Sequence, residues 1–237
     1  MIKEAIEYLI KRGEDENPII HTEYGIFSKC SLERIKEKTA SSLVVHTLTG
    51  LVDYIKNNID EIQGDVLIHI QSPEKVKLYG PLNKDKERDC YITAEAELPR
   101  ITYERFVDPE TFNIMLQSNF EDKADRALLL KYSGCVQDEA VTSYKDDGVG
   151  QAVTVKTGIA NLEKAELPNP VELAPFRTFV EVEQPTSKFI FRANNNNGIG
   201  FALFEADGGA WRNEAIKIIK AYLEEELAFN SNVKIIA

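Results

Sequence analysis

Two arginines and one strand-to-helix turn carry the side chains and backbone groups of this sequence best suited to binding an anion. Arg177 follows a Pro-Phe pair and Arg192 ends an alternating strand pattern; each guanidinium offers a planar fork for a carboxylate or a phosphate. Gly208 and Gly209 precede a helical pattern, where free backbone amides can bind an anion. The predicted ligand site comprises Arg177, Thr178, Arg192, Asn195, Gly208 and Gly209.

Each of these features also has a purely structural interpretation. The arginines can pair with the abundant glutamates of adjacent strands, such as Glu181, Glu183 or Glu205. Asp207 can cap the helix while the glycines form the turn, and its charge would repel an anion. We therefore assign Asp207 a capping role and leave both interpretations of the arginines open.

The sequence predicts no catalytic residue, no metal site and no cofactor. His21, His46 and His69 are far apart, so the fold would have to assemble any zinc site from distant residues. Asp146-Asp147-Gly148 lacks the regularly spaced oxygen ligands and the distal glutamate of a calcium loop. The three cysteines, Cys30, Cys90 and Cys135, form no CxxC pair and are typical of reduced structural thiols.

Composition limits the classes of partner. The formal net charge of -11 over 237 residues argues against a nucleic-acid backbone as the main partner, because such affinity comes from clustered Lys and Arg. Charged residues interrupt the apolar run at the N-terminus, and no stretch approaches the roughly 18 apolar residues of a membrane span. We expect a cytoplasmic protein with no membrane partner.

The last third of the chain contains the clearest secondary-structure patterns. Period-two alternation predicts strands over 179–183 and 188–192, and the Asn-rich turn 194–198 leads to a hairpin partner over 199–204. An amphipathic helix follows over 210–228. Its apolar face includes Trp211, Ala215, Ile218 and Tyr222.

The rest of the chain predicts an α+β fold of mostly antiparallel sheets with packed helices, the C-terminal amphipathic helix lying on a sheet. Strands are predicted at 43–45, 66–70, 75–79 and 91–98, and helices at 48–58, 108–120 and 122–132, with Gly134 as a stop. We divide the chain into an α+β part at 1–107, a helical segment at 108–148 and a sheet plus helix at 149–237. One compact domain is the alternative.

Three short segments carry a resemblance to a known family. Residues 47–55, 112–120 and 175–183, together with Phe191-Arg192, resemble uncharacterised phage and prophage proteins of the YfdQ-like group. They are also similar to early-region proteins of temperate phages from low-GC Gram-positive bacteria. The resemblance spans about residues 43–237. It implies a phage-encoded protein in the host-cell cytoplasm, and it supplies no catalytic residues.

Two classes of function follow. The leading hypothesis is a non-enzymatic phage accessory protein that binds and inhibits a host antiphage defence component. It would mask a protein surface or sequester a small anionic, nucleotide-like signal. The alternative is an accessory protein of phage DNA replication or recombination, and a hydrolase using Asp207 or Glu205 is a third. An apolar stripe on the N-terminal helix, residues 2–10, further predicts a homo-oligomer.

Overall fold

Most strands that alternating apolar residues predict are present in the computed structural model of the chain. It describes residues 40–83, 86–138, 143–146, 151–157, 161–165, 167–194 and 198–237, and in the first part of the chain residues 3–5, 7, 8, 13, 19–22 and 25–28. The chain forms two compact units, Met1–Thr39 and Ala40–Ala237. The segment boundaries predicted at 107 and 148 both fall within the second unit.

The described strands and helices are as follows in chain order. The strands are β1 (Ile19–Thr22), β2 (Gly25–Ser28), β3 (Leu43–Val45), β4 (Val66–Ser72), β5 (Lys75–Leu82), β6 (Arg88–Glu95), β7 (Ser143–Asp146), β8 (Gln151–Thr157), β9 (Asn161–Ala165), β10 (Val171–Leu173), β11 (Ser187–Asn194), β12 (Gly200–Glu205) and β13 (Val233–Ile236). The helices are α1 (Leu48–Lys56), α2 (Pro109–Asn119), α3 (Arg126–Asp138) and α4 (Ala210–Glu226).

The first unit contains the antiparallel hairpin of β1 and β2, in which Thr22 lies opposite Gly25. Residues 3–5, 7 and 8 are helical. Most of the apolar stripe predicted over residues 2–10 lies outside the described residues, as do Cys30, Asp147 and Gly148.

The larger sheet of the second unit has five strands in the order β13-β4-β5-β6-β3. Strands β4, β5 and β6 form an antiparallel meander, whereas the outer strands β13 and β3 run parallel to their neighbours. Helices α1 and α4 cover one face, because their apolar residues recur at helical spacing and pack on the inward residues of the strands. This core includes Leu48, Leu51, Val52, Ile68, Leu78, Ile219 and Leu223.

A second core lies between the sheet β10-β11-β12 and the helices α2 and α3. Helix α2 begins at Pro109, and the N-cap Asp108 accepts a hydrogen bond from the Thr111 amide at 3.0 Å. The ring of Phe112 packs against Phe191 at 5.8 Å and against Phe201 at 5.3 Å. The third sheet, β7-β8-β9, is antiparallel.

The α+β class, the antiparallel sheets and the C-terminal helix on a sheet are confirmed. Two local predictions are wrong. Helix α3 starts at Arg126 and continues through Gly134 to Asp138. Residues 180–182 form a turn in place of the strand predicted over 179–183.

The buried side chain of Gln184 explains this turn. Its Nε2 donates to the carbonyl of Phe179 at 3.0 Å, and its Oε1 accepts from the amides of Arg177 at 2.9 Å and Thr178 at 3.2 Å. These backbone groups are therefore satisfied locally, without a neighbouring strand. Val180 is left 74% exposed at the tip of the turn.

Among the described residues, no helix is long and apolar enough to cross a membrane.

Candidate functional site

Arg177 is held in a buried position by the chain on either side of it. The preceding residue donates its amide to the Asn119 carbonyl at 2.9 Å, and the Arg177 amide is fixed by Gln184. The side chain is only 6% exposed. Its Nη1 pairs with Glu205 Oε1 at 3.1 Å, and its Nη2 donates to the Ser187 hydroxyl and to the Pro185 carbonyl. The guanidinium is thus oriented by partners from the link 174–186 and from strands β11 and β12.

Trp211 lies beside Arg177 in the first turn of α4. The Arg177 Cζ stands 4.0 Å from the centroid of the indole, and the Cζ of the exposed Arg212 stands 4.8 Å from it. The indole is 7% exposed. Two cationic groups therefore stack on one aromatic side chain, an arrangement favoured by the ring quadrupole.

A cavity of about 350 Å³ opens next to this stack. We call it the arginine–tryptophan pocket. It is defined by Tyr103, Phe176, Arg177, Glu205, Trp211 and Arg212, with Glu74 and Ile101 among its other lining residues. Its volume lies at the lower end of the range of small-molecule sites.

Three polar atoms of this pocket's residues are buried without a hydrogen-bond partner among the described residues: Tyr103 Oη, Arg177 Nε and Trp211 Nε1. All three can donate a hydrogen bond, and the indole and guanidinium nitrogens can only donate. A buried donor without an acceptor destabilises a protein by about 1–3 kcal/mol. A ligand whose acceptor atoms reached these donors would satisfy them.

The pocket is lined by two guanidinium groups, those of Arg177 and Arg212, and by two carboxylates, those of Glu74 and Glu205. Burial lowers the pKa of Arg177 from its ordinary value, while Tyr103, Glu205 and Asp207 oppose that shift. An arginine stays charged at neutral pH even so. Burial raises the pKa of Tyr103, so its phenol stays protonated. Arg212 makes no ion pair with a carboxylate among the described residues, so its guanidinium can pair with an anionic ligand.

The predicted site residues are only partly brought together. Arg177 lines the pocket, whereas Thr178 is fully buried and donates its hydroxyl to the Pro73 carbonyl at 2.6 Å, which is a structural contact. Arg192 projects from the face of β11 opposite to the buried Ser187 and Phe189, so it does not meet Arg177. Asn195 lies outside the described residues.

Gly208 and Gly209 form the strand-to-helix turn with φ of +62° and +80°, values that glycine adopts without strain. The N-cap is Gly209, two residues after the predicted cap Asp207. The Asp207 carboxylate nonetheless accepts from the amides of Gly209 at 2.9 Å and Trp211 at 3.3 Å. Because the Gly209 and Trp211 amides already have this partner, we assign the positive charge for an anion to Arg177 and Arg212.

The sequence interpretation missed Tyr103 and Arg212. Tyr103 lies in the stretch 98–106, which has no strand or helix periodicity, so no pattern placed its hydroxyl near Arg177. Arg212 follows the single tryptophan of the chain, and this pair at a helix start was the available signal. The sequence predicts Trp211 on the apolar face of the helix; it is buried, and it also lines the pocket.

A second cavity, of about 330 Å³, lies at the ends of β5 and β6. His46 lines it, with Nδ1 2.9 Å from the Glu95 carbonyl oxygen and Nε2 3.7 Å from Glu97 Oε1. Lys75 pairs with Glu95 and lowers the pKa of that carboxyl. In the described part of the chain, no group of three or more His, Cys, Asp or Glu is arranged to hold a metal ion.

Comparison of the chain with protein families, with curated proteins and with solved structures found no match. The resemblance to phage proteins therefore stays a prediction.

Proposed function

We propose that this protein is a non-enzymatic binding protein that holds a small anionic ligand in the arginine–tryptophan pocket. In the setting that the resemblance implies, it is a phage-encoded accessory protein of the host-cell cytoplasm. It inhibits an antiphage defence component by sequestering that component's anionic, nucleotide-like signal.

The observation that supports this proposal is that three residues lining one cavity, Tyr103, Arg177 and Trp211, each contain a buried donor without a hydrogen-bond partner among the described residues. A carboxylate or phosphate offers several acceptor lone pairs in a compact group, and arginine is well suited to bind such groups. A neutral ligand would leave the charge of Arg212 unused. The volume of the pocket suits a ligand of roughly nucleotide size or smaller.

The buried ion pair also supports a binding role. A buried Arg–Glu pair is weak evidence for stability, because well-packed apolar residues are often equally or more stabilising. The Arg177–Glu205 pair is built from a nearly buried arginine and a half-buried glutamate. Holding a charged donor group at a cavity wall is the function that this arrangement serves in our proposal.

The experiment is to release the ligand from the purified protein. The full chain is desalted rapidly from producing cells and denatured, and the released small molecules are identified by mass spectrometry. We expect one anionic compound near one equivalent per chain. Tyr103→Phe removes a pocket donor and should lower its amount strongly.

Tyr222→Phe is the matched control. This change removes a hydroxyl from a partly buried tyrosine that packs against the core of the five-stranded sheet and does not line the pocket. The variant protein should therefore retain the compound. The proposal fails if wild type releases no compound, or if Tyr103→Phe and Tyr222→Phe release the same amount as wild type. Masking of a protein surface would then be the surviving form of the inhibitor hypothesis.

We also propose that the protein is a homo-oligomer. Large apolar side chains are exposed in the second unit, including Phe229, Ile59 and Val180. Light scattering should give a mass that is a multiple of 26.7 kDa, and a monomer at micromolar concentration would contradict this proposal.

A further inference from the structure

The five-stranded sheet has a second face, opposite to helices α1 and α4, which we call the outer face. On β4 and β5 the inward residues are buried in the core, and the alternate residues, Leu67, His69, Lys77 and Tyr79, are half-buried. The strand register places His69 beside Lys77 and Leu67 beside Tyr79. It also places Lys234 of β13 beside Leu67.

The outer face is basic although the chain as a whole is acidic. Strands β13, β4 and β5 contain three lysines, Lys75, Lys77 and Lys234, and no aspartate or glutamate. Lys75 pairs with Glu95 of β6. Lys77 and Lys234 make no ion pair with a carboxylate among the described residues. Lys77 nevertheless helps to lower the pKa of the Glu95 carboxyl, which it shares with Lys75, and Lys234 donates to the Ser231 carbonyl at 3.3 Å. The three lysines thus outnumber the one carboxylate that they face, and the excess positive charge is available to an anionic partner.

Two rings lie between these lysines. Tyr79 on β5 and His69 on β4 occupy diagonal positions on adjacent strands. The spacing between the two strands is about 5 Å. Lys77 lies on β5, beside His69 of β4. Lys234 lies on β13, at the other side of β4, and β13 is two strand spacings or about 10 Å from β5. Rings on an open sheet that are bordered by basic side chains suit bases that stack and phosphates that pair.

We propose that the outer face binds a short single-stranded nucleic acid, with bases on Tyr79 and His69 and phosphates at Lys77 and Lys234. An acidic peptide would use the lysines but leave the rings without a role, so the rings decide between the two partners. The net charge of -11 limits the affinity for a nucleic acid, because the rest of the chain repels phosphates. We therefore expect binding to be confined to this face and to be weak at high salt. The inference is independent of the arginine–tryptophan pocket.

The test is fluorescence anisotropy of a labelled oligothymidine of about 12 nucleotides with the full chain, over a series of salt concentrations. Two phosphate contacts predict a slope of about -1.4 in a plot of log affinity against log salt. Lys77→Gln should halve that slope. Tyr79→Leu should weaken binding about fivefold or more and leave the slope unchanged, because stacking carries no counterion release.

Lys217→Gln is the matched control, because it removes an exposed lysine from α4 and should bind the oligonucleotide as wild type does. Tyr103→Phe in the pocket should also bind it normally, which separates this test from that of the proposed function. The inference is overturned by absence of saturable binding, by equal losses in Lys217→Gln and Lys77→Gln, or by equal affinity for a duplex of the same length. Displacement by polyglutamate at equal charge would identify an acidic protein partner and would overturn it as well. Unchanged melting temperatures establish that the variants are folded.

Discussion

At the scale of single residues, the pocket is defined by donors that the fold leaves without acceptors. Both terminal nitrogens of Arg177 donate hydrogen bonds, to Glu205, Ser187 and Pro185. Its Nε has no partner among the described residues. The hydroxyl of Tyr103 is buried by stacking on the ring of Phe189 at 5.6 Å. We expect each of these donors to contribute more to the affinity for a ligand than to the free energy of unfolding, and both quantities can be measured.

Tyr103→Phe separates the role of the hydroxyl in ligand binding from its role in the stability of the fold. Because the hydroxyl has no partner, the free energy of unfolding at pH 7 should stay within about 1 kcal/mol of wild type. The pKa of Tyr103 is raised in the folded protein above the unfolded value of about 10, so wild type should lose stability as the pH rises beyond 10. The variant should lack the part of this loss that Tyr103 causes, while the part caused by Tyr54, whose pKa burial also raises, should remain. Urea unfolding at pH 7 and at about pH 11 measures both effects, and a large loss at pH 7 would mean that the hydroxyl has an internal acceptor.

Trp211→Ala should be strongly destabilising. The indole is nearly buried and stacks on Arg177, so its removal should lower the free energy of unfolding by about 3–5 kcal/mol. Arg212→Ala removes only the exposed member of the stack and should lower it by about 1 kcal/mol or less. Urea titration of the two variants makes the comparison. Equal midpoints for Trp211→Ala and wild type would place the indole in solvent.

At the scale of elements, two short segments orient the pocket. The turn after Arg177 is organised by Gln184, and the start of α4 is organised by Asp207. Periodicity predicted the strands β4, β5 and β11 and the helix α4, because each has one face buried along its length. Strand β12 is buried on both faces over residues 200–203, and the Asn-rich turn before it predicted it as a hairpin partner. Periodicity gave no warning of the turn at 180–182, since Val180 and Val182 alternate with Glu181 and Glu183 as they would in a strand, whereas the turn buries Phe179 and Val182 and exposes Val180.

Gln184→Leu tests the turn. The change removes the acceptor of the Arg177 and Thr178 amides and the donor to the Phe179 carbonyl, all of them buried. We expect the free energy of unfolding to fall on the order of 3 kcal/mol and ligand retention to fall with it, because Arg177 is displaced. Gln117→Leu on the exposed face of α2 is the control and should change the free energy by about 0.5 kcal/mol at most. Retention equal to wild type would show that Arg177 does not depend on this turn.

Asp207→Ala tests the start of α4. Loss of the two hydrogen bonds to the amides of Gly209 and Trp211 should lower the free energy of unfolding by about 1 kcal/mol. The same change removes a negative charge beside the pocket and frees those amides for an anion. Affinity for an anionic ligand should therefore rise while stability falls. Calorimetry that showed weaker binding would contradict an anionic ligand.

At the scale of the whole molecule, the pocket is formed where the two cores of the second unit meet. Glu74 comes from the β4–β5 turn, Glu205 from the end of β12 and Trp211 from α4. Thr178 ties the link before β11 to the same β4–β5 turn through the Pro73 carbonyl. Crevices between packed layers are common sites for ligands.

The sequence could not predict this assembly. The final helix was expected to lie on a sheet, and it does, but its residues Ile219 and Leu223 pack on strands of the first half of the chain. Such contacts between distant segments leave no periodic signal in either segment. Arg177 could be predicted as a site residue from its guanidinium alone. Tyr103 could not, because its position beside Arg177 depends on a contact between distant segments.

Fluorescence of Trp211 tests the central claim most directly, because it is the single tryptophan of the chain and lies in the pocket. Adenosine monophosphate and inorganic phosphate are titrated into the full chain, with chloride at equal ionic strength as the control. We predict a saturable change in emission with at least one of the two anions, and its loss in Tyr103→Phe. Emission that stays constant with both anions, or that changes equally with chloride, would contradict an anion site beside Trp211.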